Sequence, residues 1–406
     1  MLTLRLAWRN LWRNRKRTFI TVAALSLNTA VCIVTYGLMV GVLAKMQRNA
    51  TRLTSGEVQI HAPGYRQDRS LYKTLDRPET LLESARAEGC AAVPRTYGYG
   101  LISRGGKSAG ALFWGVDPVT EQAAFELAGN LAAGAYLGRE PAGEIVLGRK
   151  LARALQAAVG DDVIAVVQAA DGSLGNELFR VAGLFSSAGE SFDRQTAMIH
   201  RADFSRLFVT ENRVHEIALH GRDRHAPQDM VAALREKHPG VEVLAWPEIS
   251  PHFASFMEYM RRVAWLYAFI FALVAGLGIT STMLMATFDR TWEFGVLKAL
   301  GTAPWRIVRD VAAESLLLAL LATGIGMAGG CAVIWIFQER GIDLSRFIQG
   351  AVSFSGAVFD PVLRPVISWA VLLPPTVIMW ITALAASLYP AVKAARIHPV
   401  RAMTQV

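Results

Sequence analysis

The chain is poor in charge and in cysteine. Only 18% of its 406 residues are Asp, Glu, Lys or Arg, whereas 52% are hydrophobic. Together with a mean hydropathy of +0.30, this excludes an ordinary soluble protein of such length and directs attention to membrane spans. Of the 3 cysteines, Cys32 and Cys331 lie inside apolar runs and Cys90 between them, so neither a disulfide framework nor a CxxC metal site can be built. Catalytic patterns are missing too. There is no HExxH, no GxSxG and no paired-carboxylate arrangement, and nothing argues for an enzyme.

Charge is missing altogether from four windows, residues 18–44, 263–288, 315–338 and 365–392. Each exceeds the roughly 20 residues needed to cross a hydrocarbon core of about 30 Å. Arg5, Arg9, Arg13, Arg15, Lys16 and Arg17 precede the first window, as they would in a signal peptide. The apolar run is too long for one and no convincing cleavage site follows, so an uncleaved anchor is expected. Leu4, Trp8, Leu11 and Trp12 share one face of the basic segment, which predicts an interfacial helix over residues 1–17.

The net charge of +9 is explained by basic residues flanking apolar runs, and no nucleic-acid partner is expected. The positive-inside rule places the N-terminus in the cytoplasm and residues 45–262 outside. Residues 289–310, with Arg290, Lys298, Arg306 and Arg309, are then inside. A third span follows at 311–338, an outside loop at 339–364, and a fourth span at 365–392. The tail 393–406, carrying Lys393, Arg396 and Arg401, returns to the cytoplasm. The expected fold is a membrane α-helical protein with four transmembrane helices and a large α+β domain on the outside, inserted between helices 1 and 2.

Within that domain, strand patterns occur at 57–61, 111–116, 162–168, 177–184 and 214–220, and helical patterns at 79–88, 149–158 and 227–237. The Gly- and Ala-rich residues 129–143 suggest a seam between halves. Phe253, Phe256, Met257 and Met260 keep helical spacing into the second span, and Met46, Ala50 and Leu53 extend the first. These residues are read either as stalks that face substrate or as ordinary packing beneath the domain.

Several motifs fail on context. Gly324, Gly326 and Gly329 match GxGxxG but lie mid-span without a preceding strand. With Gly330 they offer a small-residue face for helix packing, centred on Gly326 and Gly330. Gly105-Gly106-Lys107-Ser108 resembles the end of a phosphate loop, yet the required first glycine falls on Leu101. A glycine hairpin is expected instead, and any motor must be another protein. His215, His220 and His225 recur at five-residue intervals, an odd spacing that points strand side chains to opposite faces. They are read as solvated histidines, and no metal is expected.

Residues 289–309 remain as the feature between spans. A helix is expected from about Thr291, broken at Gly301, with Thr302 as the cap of the next helix and Pro304 in its first turn. Glu293 and Glu314 both suit a helix start, where negative charge meets the positive end of the dipole.

Arg290-Thr-Trp-Glu293-Phe-Gly295-Val-Leu297-Lys298-Ala299-Leu300-Gly301 resembles the R-x-x-E-x-G-x-L-K-A-x-G signature of FtsX-like ABC transporter permeases. Similar family patterns occur in Tyr389-Pro390 through Arg396, Pro399 and Ala402, and in Ala7-Trp-Arg9-Asn10 through Thr18. The outer domain resembles the periplasmic core of MacB, LolC and LolE permeases, as in Gly115-Val-Asp-Pro118, Ile145 to Ala152 and Gly183 to Asp193, the last leaning toward LolC and LolE.

The resemblance implies a mechanotransmission permease of the bacterial inner membrane with both termini cytoplasmic. Arg290, Glu293, Gly295, Leu297, Lys298 and Gly301 would couple it to a cytoplasmic ABC ATPase. That partner would bind ATP and Mg, and this chain would carry no cofactor. Further partners would be a second permease subunit, identical or paralogous, membrane lipid, and a periplasmic lipoprotein or chaperone. The implied work is extraction or export of a lipoprotein or other amphiphile. The alternative is an FtsX-like regulator of a periplasmic cell-wall hydrolase that transports nothing. A third reading is a receptor-like anchor with a sensory outer domain and no ATPase.

Overall fold

A computed structural model describes residues 2–186, 190–221, 227–343, 352–354, 357–359 and 362–398. His225, Pro399, Ala402, residues 187–189 and the side chain of Leu4 lie outside the described set. The chain divides into two compact units. One comprises Met1–Leu43, Glu258–Leu344 and Val362–Val406, and the other Ala44–Met257 with Ser345–Pro361.

The first unit contains an amphipathic helix, Leu2–Arg13, and the long helices Arg15–Ala50, Pro251–Asp289, Pro304–Arg340 and Trp369–Ala395, of which the first two continue into the second unit. These four are long and apolar enough to cross a membrane. Their burial fits a hydrocarbon solvent. A seam of Leu25, Ala275, Ile279, Met283, Leu318, Ala322, Met379 and Ala383 is closed, with Leu11 joining it from the amphipathic helix. Large apolar side chains such as Phe19, Phe269, Leu277, Trp335 and Ile381 point outward. So much outward apolar surface would be untenable in water and is ordinary against lipid tails.

Small residues and hydroxyls close the seam. A Cβ on Gly326 would lie 2.6 Å from the Ser26 carbonyl oxygen, and one on Gly330 would lie 3.2 Å from Ile33 Cγ2. Gly324 faces open space, so the packing surface is the Gly326–Gly330 side and not the whole GxGxxG pattern. Ser315 donates to the Ala383 carbonyl at 2.9 Å and Trp380 Nε1 to Thr323 at 3.0 Å, which satisfies polar groups between helices.

The second unit is built on a mixed sheet of β1 (Val58–His61), β2 (Cys90–Arg104), β3 (Lys107–Val116), β4 (Leu131–Gly134), β5 (Glu144–Gly148), β6 (Asp162–Gln168), β7 (Leu174–Phe185), β8 (Thr196–His200), β9 (Glu216–Gly221) and β10 (Glu242–Ala245). The order is β10-β1-β9-β2-β3-β8-β5-β7-β4, and β6 pairs with both β2 and β7. Pairing therefore closes a circuit, β2-β3-β8-β5-β7-β6, around Phe113, Ile145, Val163, Phe179, Ile199 and Phe208. The open arm β10-β1-β9 covers a second core with Ile60, Ile217, Leu219 and helices Pro78–Ala87 and Pro227–Lys237.

Two expectations change, and one strand went unread in the sequence. The suggested seam at 129–143 instead supplies β4, an edge strand paired with β7, so this stretch is part of the sheet. Strand β2 had no clear pattern because Ala92 to Thr96 are buried on both faces, which erases alternation. Thr302 does not cap the third long helix. Ala303 does, in an extended conformation (φ −61°, ψ 136°), because a residue before proline avoids the helical region. Elsewhere Gly105 and Gly106, at φ +54° and +81°, form the two-residue turn of the β2–β3 hairpin.

Candidate functional site

The short helix Thr291–Ala299 ends in a closed cap. Gly301 adopts φ +87°, its N–H reaches the Lys298 carbonyl at 3.0 Å, and the Thr302 N–H reaches the Leu297 carbonyl at 3.0 Å. This pair of bonds is the Schellman arrangement, which needs a left-handed residue where glycine stands. The inward face carries the buried Gly295 and Phe294, and Phe294 packs with Ile307, Val311, Ala391 and Ala394. Trp292, Leu297 and Leu300 are exposed at 58%, 42% and 79%.

Charge ties the helix to three neighbours. Arg290 donates to Glu293 at 3.2 Å and to Glu314 at 3.0 Å, with its guanidinium 5.3 Å from the Phe294 ring centre. Glu293 also accepts from Arg13, and Arg17 pairs with Asp289 at 2.8 Å. Lys298 Nζ donates to the carbonyls of Ala395 and Ile397, both at 2.8 Å, at the C-terminal end of the fourth long helix. Burial alone would raise the Glu293 pKa, but hydrogen bonds from Arg13 and Arg290 outweigh it and hold the carboxyl below its ordinary range.

The dipole reading survives for Glu293, which sits in the first helical turn. It fails for Glu314. The third long helix starts at Pro304, so Glu314 is well inside it, 5% exposed and held by Arg290. Of the residues singled out in sequence, Arg290, Glu293, Gly295, Lys298 and Gly301 are brought into one assembly, with Leu297 on its open side. Arg13 and Arg17 join it unforeseen. Their signal was the basic segment itself, read as a topology marker and as an interfacial helix.

Phe253 and Met257 are buried at 1% and 6%, with Phe253 edge-on to Trp246 at 5.8 Å between ring centres. Phe256 and Met260 are half-buried. Met46 and Leu53, on the continuation of the first long helix, are buried too.

The domain holds a second polar assembly that sequence reading missed. Arg95 on β2, 0% exposed, meets Glu121 at 2.6 Å and Glu216 at 3.4 Å, with its guanidinium 4.2 Å from the Phe125 ring centre. Tyr97 donates to Glu216 at 2.7 Å. His215, expected to be solvated, is fully buried. Its Nδ1 accepts from Tyr97 N at 3.1 Å and its Nε2 donates to the Leu71 carbonyl at 3.0 Å, which defines a neutral ring. Burial pushes the His61 and His215 pKa values down, against the pull of Glu216. His220 is half-buried, 3.5 Å from Glu57.

Residues 265–399 match the FtsX-like permease C-terminal family, and residues 18–237 match the MacB-like periplasmic core domain. The chain belongs to this family, as an ABC transporter permease of the MacB/LolC type and a multi-pass membrane protein. It is 23% identical to the lipoprotein-releasing system transmembrane protein LolC of Xylella fastidiosa, over 96% of this chain and 95% of that protein. It is 26% identical to the pyoverdine export ATP-binding/permease protein PvdT of Pseudomonas entomophila, over 99% of this chain and 59% of the relative. Against the macrolide export ATP-binding/permease protein MacB of Nitrosomonas europaea the identity is 24%, over 83% and 52% of the two chains.

Proposed function

We propose that the chain is a mechanotransmission permease subunit of the bacterial inner membrane, both termini cytoplasmic. A partner ATPase docks on the short helix Thr291–Ala299, and closure of its nucleotide sites pushes that helix. The load is a lipoprotein or another amphiphile taken from the outer leaflet or periplasm. One observation carries the reading. The helix is tied by side chains to the amphipathic helix through Glu293–Arg13, to the third long helix through Arg290–Glu314 and to the fourth through Lys298, while Trp292, Leu297 and Leu300 stay open. A small element with an exposed apolar face and several rigid ties receives a push and distributes it.

The relative named as lipoprotein-releasing matches along nearly its whole length, which supports the lipoprotein load over pyoverdine or macrolide. The test is release of a radiolabelled lipoprotein from proteoliposomes holding the permease and its ATPase. ATP-dependent release that is lost in Glu293→Ala and Gly301→Leu, with membrane insertion intact, supports the reading. Equal release by both variants removes the role given to this helix. Absence of release together with a stably bound cell-wall hydrolase would favour a regulatory permease.

A further inference from the structure

No Asp or Glu occurs in the chain before Glu57, whereas residues 1–17 hold Arg5, Arg9, Arg13, Arg15, Lys16 and Arg17. Two of these cations are answered from elsewhere in the chain, Arg13 by Glu293 and Arg17 by Asp289. Arg5, Arg9, Arg15 and Lys16 are exposed and make no ion pair among the described residues. Positive charge is therefore left over where the amphipathic helix meets the first long helix.

The amphipathic helix Leu2–Arg13 sorts its side chains into rows, because residues four apart share a face. Ala7 and Leu11 form the buried row. Trp8 and Trp12 form an exposed aromatic row, edge-on to each other at 5.9 Å between ring centres. Arg5, Arg9 and Arg13 form a basic row beside it, also exposed. Like charges at this spacing repel along a helix, and of the three only Arg13 is neutralised. Phe19 and Ile20, near the start of the first long helix, are exposed as well. Apolar side chains, indole rings and uncompensated cations thus lie together within residues 5–20. A phospholipid presents the matching layers, namely acyl chain, interface and headgroup phosphate.

We infer that this face binds anionic phospholipid, its headgroup phosphate held by Arg5 and Arg9 and its glycerol region lying against Trp8 and Trp12. Arg15 and Lys16 add to the attraction. A zwitterionic lipid brings its own cation to the same place and leaves the arginines uncompensated, so the surface selects net negative charge. A soluble anion would answer the arginines but leave the indoles, Phe19 and Ile20 uncovered. Orientation in a membrane requires basic residues near a span, but neither the paired tryptophans nor the fixed rows. The inference needs no ATPase and stands apart from the coupling reading.

The test is retention of tritiated dioleoylphosphatidylglycerol by the tagged full chain in dodecylmaltoside, with unlabelled competitors. Unlabelled phosphatidylglycerol is expected to displace the label, and dioleoylphosphatidylcholine or inorganic phosphate to displace it poorly. Arg5→Gln/Arg9→Gln should weaken retention roughly thirtyfold, in line with loss of two cations beside an anionic headgroup. Its melting temperature without added lipid should equal that of wild type, since neither arginine holds a partner in the chain. Arg261→Gln/Arg262→Gln removes another exposed pair, on the second long helix beside Glu258, and should retain the label as wild type does. Displacement by phosphatidylcholine or phosphate as effective as by phosphatidylglycerol would overturn the proposal. So would unchanged retention in Arg5→Gln/Arg9→Gln, or an equal loss in both double variants. A lowered lipid-free melting temperature in Arg5→Gln/Arg9→Gln would overturn it too, by assigning these arginines to the fold.

Discussion

Arg290 faces a 5% exposed carboxylate at 3.0 Å, so deleting its side chain would strip Glu314 of its hydrogen-bonded counter-charge and leave only the charges of Arg17 and Arg13 nearby. Removing one member of a buried pair costs about 3–5 kcal/mol, and Arg290→Ala is expected to lower stability by that order in detergent unfolding. Arg13, 55% exposed at its own pair, should contribute only about 0–1 kcal/mol. If Arg13→Ala proved the costlier variant, the buried pair would not be the anchor of this region. The domain histidines give a pH prediction. Their folded pKa values are depressed, so the unfolded chain takes up protons first as pH falls below its value near 6.5. Stability from these rings is full above that pH and lost as pH drops through the folded values. Melting curves between about pH 7.5 and pH 5 should show the loss, and His61→Gln/His215→Gln should flatten it. Sequence signalled Gly301 because glycine after a helix has a local cause. It hid Arg95 and His215, whose partners Glu121, Glu216 and Leu71 come from other parts of the chain.

Among the elements, the apolar windows announced the long helices because lipid demands a continuous, internally bonded segment. The ends were less legible. Helix Arg15–Ala50 overruns its charge-free window on both sides, since helix geometry does not stop where the lipid does. Strand β6 and helix Pro227–Lys237 match their expected bounds, being alternating and amphipathic respectively. β2 was invisible for the opposite reason, as its meaning lies in pairing with β3, β6 and β9 at once. The glycine face is open to a direct comparison. Gly326→Ala drives a methyl into the Ser26 carbonyl, whereas Gly324→Ala meets nothing within 4 Å. The first should cost about 1–3 kcal/mol by overpacking and the second close to nothing, read as thermal stability in detergent. Equal behaviour would mean that the first and third long helices do not pack through this face.

For the whole molecule, the central claim is that the open face of Thr291–Ala299 receives an ATPase. Family membership and the four apolar helices establish the permease, and the tied helix is the coupling element we propose. The most direct measurement is affinity purification of the tagged chain from its native membranes, with Mg-dependent ATP hydrolysis assayed in the eluate. Wild type should bring down an ATPase of cytoplasmic origin. Trp292→Asp/Leu300→Asp, altered on two exposed side chains, should insert and elute equally but lose the hydrolysis. Wild-type protein recovered intact without ATPase activity, or a double variant that retains it in full, would contradict the account.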